Sequence, residues 1–364
     1  MAAAAVREAQ VSIEVGALRQ SWPLPGNPKP IVIIGAGGIV NDAHLPAYRL
    51  AGLPVAGVFD LDAERARAVA EKWQTRAFAS LDEAIGTPGA VFDLALPPAA
   101  HLDVLPRLPD GAAVLLQKPM GRDLAEATAI LKLCRAKSLT AAVNFQLRFS
   151  PMLLAVADAL ERGWLGRLID VEVHLNLVTP WQLFPFLNGM PRVEIAVHSI
   201  HYLDTLRALL GNPSGVHART LGHPSTSLAQ TRTSALFDFA PDQRVTFSIN
   251  HNHDFGRRFQ DASFRFEGVD GAAMVKLGLL LNYPEGEPDE LWITRRGSDW
   301  TQVPLQGRWF PHAFIGTMSN LQRYAAGEDD RLVTGVEDAW HTMALAEAAF
   351  ESASKPATPV RSAP

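Results

Sequence analysis

The stretch from Ile31 to Val40 constrains the fold of this chain more than any other. Four β-branched apolar residues, Ile31 to Ile34, run directly into Gly35-Ala36-Gly37-Gly38. An apolar run without alternation is typical of a strand that is buried on both faces of a parallel sheet. Glycines after such a strand allow a tight turn and let a phosphate group approach the backbone. The helix that follows would point its free N–H groups at that phosphate.

A second strand-like run supports a dinucleotide site at this turn. Val55 to Phe59 is apolar and ends at Asp60, about 20 residues after the turn, where a carboxylate accepts hydrogen bonds from the adenosine ribose. The two features together predict a Rossmann site, and a glycine turn in another α/β fold is the alternative. Because Asp60 would repel a 2′-phosphate, we expect NAD rather than NADP. Arg65 is the residue that could favour NADP.

Composition limits the classes of partner. The chain has 364 residues, of which 48% are hydrophobic and 20% charged, and its formal net charge is -5. This charge, without a long basic run, argues against nucleic acid or an anionic membrane as the main partner. The single cysteine cannot form an internal disulfide, and no apolar run is long enough for a membrane span. We interpret the Ala-rich start as an extension rather than a signal peptide, and we expect a cytoplasmic location.

The order of predicted elements indicates two domains and an α/β fold. Residues 1–29 are rich in proline and glycine near their end and read as a loosely held arm. In residues 30–149 strands alternate with helices, which predicts a Rossmann domain with one parallel sheet. Residues 150–354 carry short, closely spaced strands, which predict an α+β domain with an antiparallel sheet. Residues 355–364 are a tail.

The predicted elements have the following bounds. In the first domain, a helix begins near Asn41 or Asp42, helices cover 62–70 and 125–136, and Ser80 or Asp82 caps a further helix. The strands cover 31–34, 55–59, 77–80, 90–96, 113–116 and 139–143. In the second domain, helices cover 151–162, 192–210, 310–326 and 335–354. Its strands cover 168–177, 215–221, 233–239, 244–253, 263–267, 272–277, 290–294 and 301–304.

Ligands of open α/β sheets bind beyond the carboxyl ends of the strands, so the residues that follow the predicted strands are the candidates for cofactor contact. They are Gly35, Gly37, Gly38, Ile39, Asp60, Leu96, Pro97, His101, Gln117, Lys118 and Asn144. Lys118 precedes a proline, which favours an extended backbone that would aim its side chain. Near a nicotinamide, its ammonium could donate to a substrate hydroxyl. The alternative is a solvated surface lysine.

Two histidines lie near a carboxylate in the predicted helix at 192–210. At helical spacing Glu194, His198, His201 and Thr205 share one face. The histidines could be acid–base catalysts, because imidazole titrates near neutral pH. They could instead bind zinc with Glu194, although no supporting motif accompanies them and we expect no metal. A third interpretation is histidines packed at a domain interface.

A weaker set of residues suits sugar or polyol binding. Arg148 follows the last predicted Rossmann strand, and Trp181 lies before the histidine helix. Aromatic faces and forked donors bind sugars, but the same residues also suit an ordinary core. The segment Asn250 to Asp254 reads as the polar end of a strand without an assigned target.

The chain resembles the Gfo/Idh/MocA family, the group of glucose–fructose oxidoreductase and inositol dehydrogenase, over roughly residues 30–354. The resemblance is carried by Gly35-Ala36-Gly37-Gly38-Ile39, Phe59-Asp60-Leu61-Asp62-Ala63-Glu64-Arg65-Ala66, Leu96-Pro97-Pro98 with His101, Gln117-Lys118-Pro119, Asn144-Phe145-Gln146-Leu147-Arg148-Phe149-Ser150-Pro151 and His201-Tyr202-Leu203-Asp204. It implies a Rossmann domain, then a domain with a large, mostly antiparallel sheet through which homodimers or homotetramers form. A late helix returns to the Rossmann domain. The implied activity is oxidation or reduction of a carbon–oxygen centre on a sugar, inositol or related polyol with NAD(P).

The resemblance assigns catalysis to Lys118 and His201 and matches Asp204 to the family's aspartate three residues after the histidine, which we expect at the substrate. From their places after a Rossmann strand or on the histidine helix, we expect Arg148 and His198 to line the substrate pocket between the domains with Lys118 and His201, and Trp181 to contact the substrate. Two positions depart from the family pattern. Gln117 stands where the family usually has Glu, and Val197 stands where it usually has the catalytic Asp. A non-catalytic, dinucleotide-sensing regulator therefore stays an alternative, as does an enzyme that recycles a tightly held NAD(H).

Overall fold

The computed structural model describes residues 14–361 and contains two β-sheets. The first is the predicted parallel sheet, built from β1 (Ile31–Ile34), β2 (Val55–Phe59), β3 (Val91–Leu94), β4 (Ala113–Leu116) and β5 (Thr140–Val143). Its order is β2-β1-β3-β4-β5, and every neighbouring pair is parallel. All four residues of β1 and of β3 are buried, as expected of strands with helices on both faces.

Five helices connect these strands: α1 (Leu45–Ala51), α2 (Ala63–Trp73), α3 (Leu81–Ile85), α4 (His101–Val104) and α5 (Leu124–Ala136). The carboxylate of Asp62 caps α2 by accepting from two backbone N–H groups, as Ser80 does with one at α3.

Two predicted boundaries in this half are wrong. A π-helical turn, Val40–His44, precedes α1 and carries the helix back toward the glycine turn, so Asn41 and Asp42 lie inside the helix and cap nothing. The strand predicted at 77–80 is reduced to one bridge between Ala77 and Val58, because Ser80 already turns the chain into α3.

The second sheet is large and mostly antiparallel, which confirms the prediction. Its strands are β6 (Leu168–Asn176), β7 (Gly215–Leu221), β8 (Arg232–Asp238), β9 (Arg244–Asn250), β10 (Asp261–Gly268), β11 (Gly271–Lys276), β12 (Glu290–Arg295) and β13 (Thr301–Gln302). The order is β13-β12-β11-β10-β6-β9-β8-β7, and only β6 and β9 pair in parallel. Alternation along β6 buries Val171, Val173 and Leu175 in the core. Each such side chain contributes roughly 1.5–3 kcal/mol to stability when fully buried.

Four helices complete the fold: α6 (Pro151–Glu161), α7 (Ile200–Leu210), α8 (His312–Ala325) and α9 (Val336–Ser354). The two late helices contact the parallel sheet as well. Phe314 and Met318 of α8 pack in the cluster that contains Ile31 and Ile33, and Met343 of α9 packs in the cluster that contains Val114. They therefore hold the two sheets against each other.

The prediction of a loosely held arm is wrong for residues 14–29, and residues 1–13 lie outside the described part. Leu18 is buried in the core of the second sheet, and the indole N–H of Trp22 donates to Asp329 at 2.8 Å. The Trp22 ring also meets Phe149 edge-on, with centroids 5.2 Å apart. Within the described residues, no helix has the length and apolarity needed to cross a membrane.

Candidate active site

The glycine turn after β1 has the geometry of a phosphate-binding loop. Gly35 adopts φ +106°, and a Cβ there would collide with the carbonyl oxygen of Ala95, so only glycine fits. Around Gly37, by contrast, a Cβ would meet no heavy atom within 4 Å. That open space lies beside the first helical turn, whose N–H groups lack intrahelical acceptors. Gly38 and Ile39 form the start of that turn, so the loop fits a pyrophosphate.

Asp60 is held at the end of β2 beside this turn. One carboxylate oxygen accepts from the backbone N–H of Ala36 at 2.8 Å, and the other accepts from the backbone N–H of Asp62 at 2.9 Å. The guanidinium of Arg65 lies 3.5 Å from the second oxygen. Each carboxylate oxygen has more than one lone pair, so the fixed group retains acceptor capacity for ribose hydroxyls.

The other predicted cofactor residues divide into two sets. Leu96 and Pro97 follow β3 directly and lie on the same edge of the sheet as the glycine turn. The imidazole ring of His101 and the side-chain amide of Asn144 are fully buried. Burial lowers the pKa of His101 to about 4, and the Asn144 oxygen accepts from Thr317 at 3.0 Å. Because both side chains are fully buried, the proposed cofactor contacts do not include them.

A buried network not predicted from the sequence supports Gln117. The ring of His44 lies 2.6 Å from the Asp93 carboxylate through Nδ1, and Tyr48 donates to the same oxygen at 2.7 Å. A carboxylate as acceptor assigns the proton to Nδ1 of His44, so its Nε2 accepts from the Gln117 amide at 3.2 Å. The Gln117 oxygen in turn accepts from the backbone N–H of Lys118 at 2.9 Å.

The position of Asp93 in the sequence could have indicated this network. A carboxylate inside the buried run Val91-Phe92-Asp93-Leu94 needs a partner, because an unpaired buried charge is costly.

Lys118 connects the edge of the parallel sheet to the histidine helix. It follows β4, and its ammonium donates to the carbonyl oxygen of Val197 at 2.9 Å. Burial lowers the pKa of Lys118 from its usual 10.5 to about 8. The acceptor belongs to the π-helical turn Glu194–Ser199, which leads into α7. A backbone carbonyl therefore contacts the lysine at Val197, the position where the Gfo/Idh/MocA pattern usually has an aspartate.

His201 lies one turn further along this helix. Its ring meets Trp309 edge-on at 5.9 Å, and among the described residues its Nδ1 has no hydrogen-bond partner. Burial, and secondarily the charge of Lys118, holds the pKa of His201 well below its usual value. The imidazole is therefore neutral at neutral pH and can accept a proton.

His198 and Trp181 meet at a second histidine, His251, which the sequence left without a role. The rings of His198 and His251 are 4.3 Å apart, and Trp181 lies edge-on to His251 at 5.2 Å. His251 directly follows β9 on the face opposite to Asn250 and Asn252. The alternation along this segment predicts that His251 lies on the face opposite to the two asparagines. It does not predict which of the two faces meets the histidine helix, because that depends on the fold.

Arg148 and Asp204 form a buried ion pair. The guanidinium donates to both carboxylate oxygens of Asp204, at 2.5 and 2.6 Å, and to Asp338 of α9 at 2.6 Å. Both side chains are buried, and Arg207 adds a second cation beside Asp338. Their polar groups are occupied inside the protein, so the proposed substrate site does not include them.

The parallel sheet with its phosphate-binding turn, and the lysine that reaches a histidine helix, define a dinucleotide-dependent oxidoreductase. Residues 29–145 match the Gfo/Idh/MocA family model, described as an oxidoreductase family with an NAD-binding Rossmann fold. Over these residues the chain is similar to this family of NAD-binding oxidoreductases.

Individual relatives agree with this assignment. The chain is 25% identical to the 1,5-anhydro-D-fructose reductase of Ensifer adhaerens over 283 residues, which are 75% of this chain and 82% of the relative. It is 29% identical to the inositol 2-dehydrogenase of Leifsonia xyli subsp. xyli over 194 residues, covering 50% of this chain and 53% of that protein. The UDP-N-acetylglucosamine 3-dehydrogenase structure from Acidithiobacillus ferrooxidans superposes with a TM-score of 0.71 at 22% identity, over 90% and 98% of the two chains, and shares the fold.

Proposed function

We propose that this chain is an NAD-dependent dehydrogenase that oxidises a CH–OH group of a sugar, inositol or related polyol, or reduces the corresponding carbonyl. The contact that carries the proposal is the 2.9 Å hydrogen bond from the Lys118 ammonium to the Val197 carbonyl. It holds the lysine at the carboxyl edge of the parallel sheet, close to His201. The relatives named above act on a sugar-derived ketose and on inositol, which supports the substrate class.

A bound nicotinamide would supply the hydride acceptor at this edge. Gly35, Gly37, Gly38 and Ile39 would bind the pyrophosphate, and Asp60 the ribose. Asp60 disfavours a 2′-phosphate by charge, so the proposal specifies NAD over NADP. Arg65 is already engaged with Asp60 and Asp62, which reduces its freedom to bind a phosphate.

The protein residues would handle the proton of the substrate hydroxyl. His201, which is neutral at neutral pH, is the proposed base. Lys118, with a pKa of about 8, would stabilise the developing alkoxide by its charge and donate a hydrogen bond to the same oxygen. His198 and Trp181 would contact the remainder of the substrate through their rings.

The experiment is a panel of sugars and inositols assayed for NADH formation, with NAD and NADP binding measured by fluorescence titration. The proposal expects turnover of at least one polyol and tighter binding of NAD. Tighter binding of NADP would contradict the cofactor assignment. NAD binding without turnover across the panel, in either direction of reaction, would favour a dinucleotide-sensing protein.

We also propose that residues 30–149 and 150–354 are separate domains. Support for the boundary comes from the end of β5 at Val143 and the start of α6 at Pro151, between which the chain passes from one sheet to the other. Limited proteolysis should then release a fragment that begins near this boundary, and cleavage only elsewhere would contradict it.

The eight-stranded sheet is the proposed surface for a homodimer or homotetramer. On β6, Val171 and Val173 face the helices, while Glu172 and His174 lie half-buried on the opposite face. Light scattering should give a mass of two or four chains, and His174→Glu should lower it by placing a new charge near Glu172. A monomer at assay concentration would contradict this surface.

A further inference from the structure

Three potential metal ligands converge beside the lysine. They are Glu194 and His198 of the π-helical turn and His251 after β9, whose ligand atoms all lie within 4.8 Å of one another. These ligands differ from the zinc set that the sequence suggested, Glu194 with His198 and His201, because His251 takes the place of His201. Glu194 and His251 are fully buried and His198 is partly exposed.

The separation of one pair of ligand atoms in the set matches a coordination sphere better than a hydrogen bond. Nε2 of His251 lies 3.4 Å from Oε1 of Glu194, which is long for an N–H···O bond. Zinc–nitrogen and zinc–oxygen bonds of roughly 2.0–2.2 Å in tetrahedral geometry place two ligand atoms about 3.3–3.5 Å apart. The observed separation therefore leaves room for an ion bound to both atoms.

Both imidazoles are oriented by hydroxyl groups on their other nitrogen. Nδ1 of His251 lies 2.7 Å from the hydroxyl of Thr179, and Nδ1 of His198 lies 3.2 Å from the hydroxyl of Tyr202. A hydroxyl can accept the Nδ1 proton, which leaves each Nε2 with a free lone pair. Outer-shell partners of this kind set the tautomer and direction of histidine ligands in metal sites.

The charge at Glu194 also lacks compensation. Its carboxylate accepts from the hydroxyls of Ser199, at 2.6 Å, and Thr233. These groups satisfy its hydrogen bonding but bring no positive charge, and no Lys or Arg of residues 14–361 pairs with it. Burial of a carboxylate without a counter-charge is unfavourable, and a bound cation would offset that cost.

From this geometry we propose that Glu194, His198 and His251 bind one divalent cation, with Zn²⁺ as the ion that a two-histidine, one-carboxylate set favours. Three protein ligands leave a fourth position for water or substrate, the pattern of catalytic rather than structural zinc. The partly exposed ligand, His198, adjoins Val197, whose carbonyl binds Lys118. In a step that rests on the proposed dehydrogenase function, the open position takes a hydroxyl oxygen of the polyol.

Metal binding is measured on the full-length, chelator-treated protein without any turnover. Zn²⁺ affinity is obtained by competition with a chromophoric chelator, and Co²⁺ is added separately to record the visible absorption of a tetrahedral site. Stoichiometry should approach one ion per chain. His198→Gln, the variant least expected to disturb folding, and Glu194→Gln should each weaken Zn²⁺ binding by more than 100-fold, above the roughly 10–100-fold cost of an outer-shell loss.

Thr179 tests the orienting role. Thr179→Val should weaken Zn²⁺ binding roughly 10–100-fold, and Thr179→Ser should restore it. The matched control is His217→Gln, which removes another histidine beside a carboxylate, since His217 lies 3.8 Å from Asp238 on the exposed surface. It should leave Zn²⁺ affinity unchanged.

The proposed site is overturned if the wild type, His198→Gln and Glu194→Gln bind Zn²⁺ with equal affinity while circular dichroism shows that all three are folded. It is also overturned if the wild type does not bind Zn²⁺. NAD binding and polyol turnover are recorded on the same preparations. Turnover without Zn²⁺ binding would refute the metal site and leave the dehydrogenase function standing. Stoichiometric Zn²⁺ binding without turnover of any polyol would do the reverse.

Discussion

Replacement of Arg148 by methionine separates a structural role from a substrate-binding role. The guanidinium makes three hydrogen bonds of 2.5–2.6 Å to two carboxylates, and its side chain is only 5% exposed, against 1% for Asp204. Methionine retains much of the volume but leaves the Asp204 charge buried without its main partner. Removal of one member of a buried pair costs about 3–5 kcal/mol. Arg148→Met should therefore lower the free energy of unfolding by about that amount.

The pH dependence of this loss has a defined sign. Burial already raises the pKa of Asp204 against the opposing effect of Arg148, and loss of the cation would raise it further. A carboxyl whose folded-state pKa lies above its unfolded value binds more protons in the folded state, so stability falls as pH rises through this range. The destabilisation by Arg148→Met should therefore be smaller at pH 5 than at pH 8.

Urea unfolding monitored by circular dichroism at both pH values measures the effect. The matched control is Arg244→Met, which removes an exposed bidentate pair with Asp170 and should cost no more than about 1 kcal/mol. If Arg148→Met is as stable as the wild type but raises the KM for the polyol strongly, the buried-cluster interpretation is wrong. The substrate role predicted from the sequence would then hold.

Three further predictions concern the cofactor and catalysis. Lys118→Ala and His201→Ala should each lower kcat by ~10²–10⁴-fold while NAD still binds, as measured by steady-state kinetics and fluorescence titration; near-normal turnover of His201→Ala would move the base to His198. For oxidation, kcat/KM should fall as pH rises through about 8, where Lys118 loses its charge. Val197→Asp should shift this fall to higher pH, because a carboxylate beside the ammonium raises the pKa of Lys118. An unchanged pH profile in Val197→Asp would refute the charge role of Lys118. Asp60→Ser should shift the ratio of NADP to NAD dissociation constants toward NADP by about tenfold, or about 1.4 kcal/mol, and a ratio that stays the same would show that Asp60 does not select the cofactor.

Local sequence was sufficient for most of the framework. The unalternating run of β1, the glycines after it and Asp60 at the end of β2 predicted the parallel sheet and its ligand edge, because burial pattern and turn chemistry are properties of neighbouring residues. The same holds for the cap of α3, which Ser80 supplies. The start of α1 was missed because a π-helical turn has no hydrophobic period of its own and needs no side-chain cap.

The candidate site depended on contacts that no local pattern contains. Lys118 meets a carbonyl 79 residues away, and Glu194 meets His251 across 57 residues. Arg148, which follows a Rossmann strand as a ligand-binding residue would, pairs instead with Asp338, 190 positions later. Residue type can say that a buried charge needs a partner, but the packing of α9 and β9 against the histidine helix decides which partner it meets.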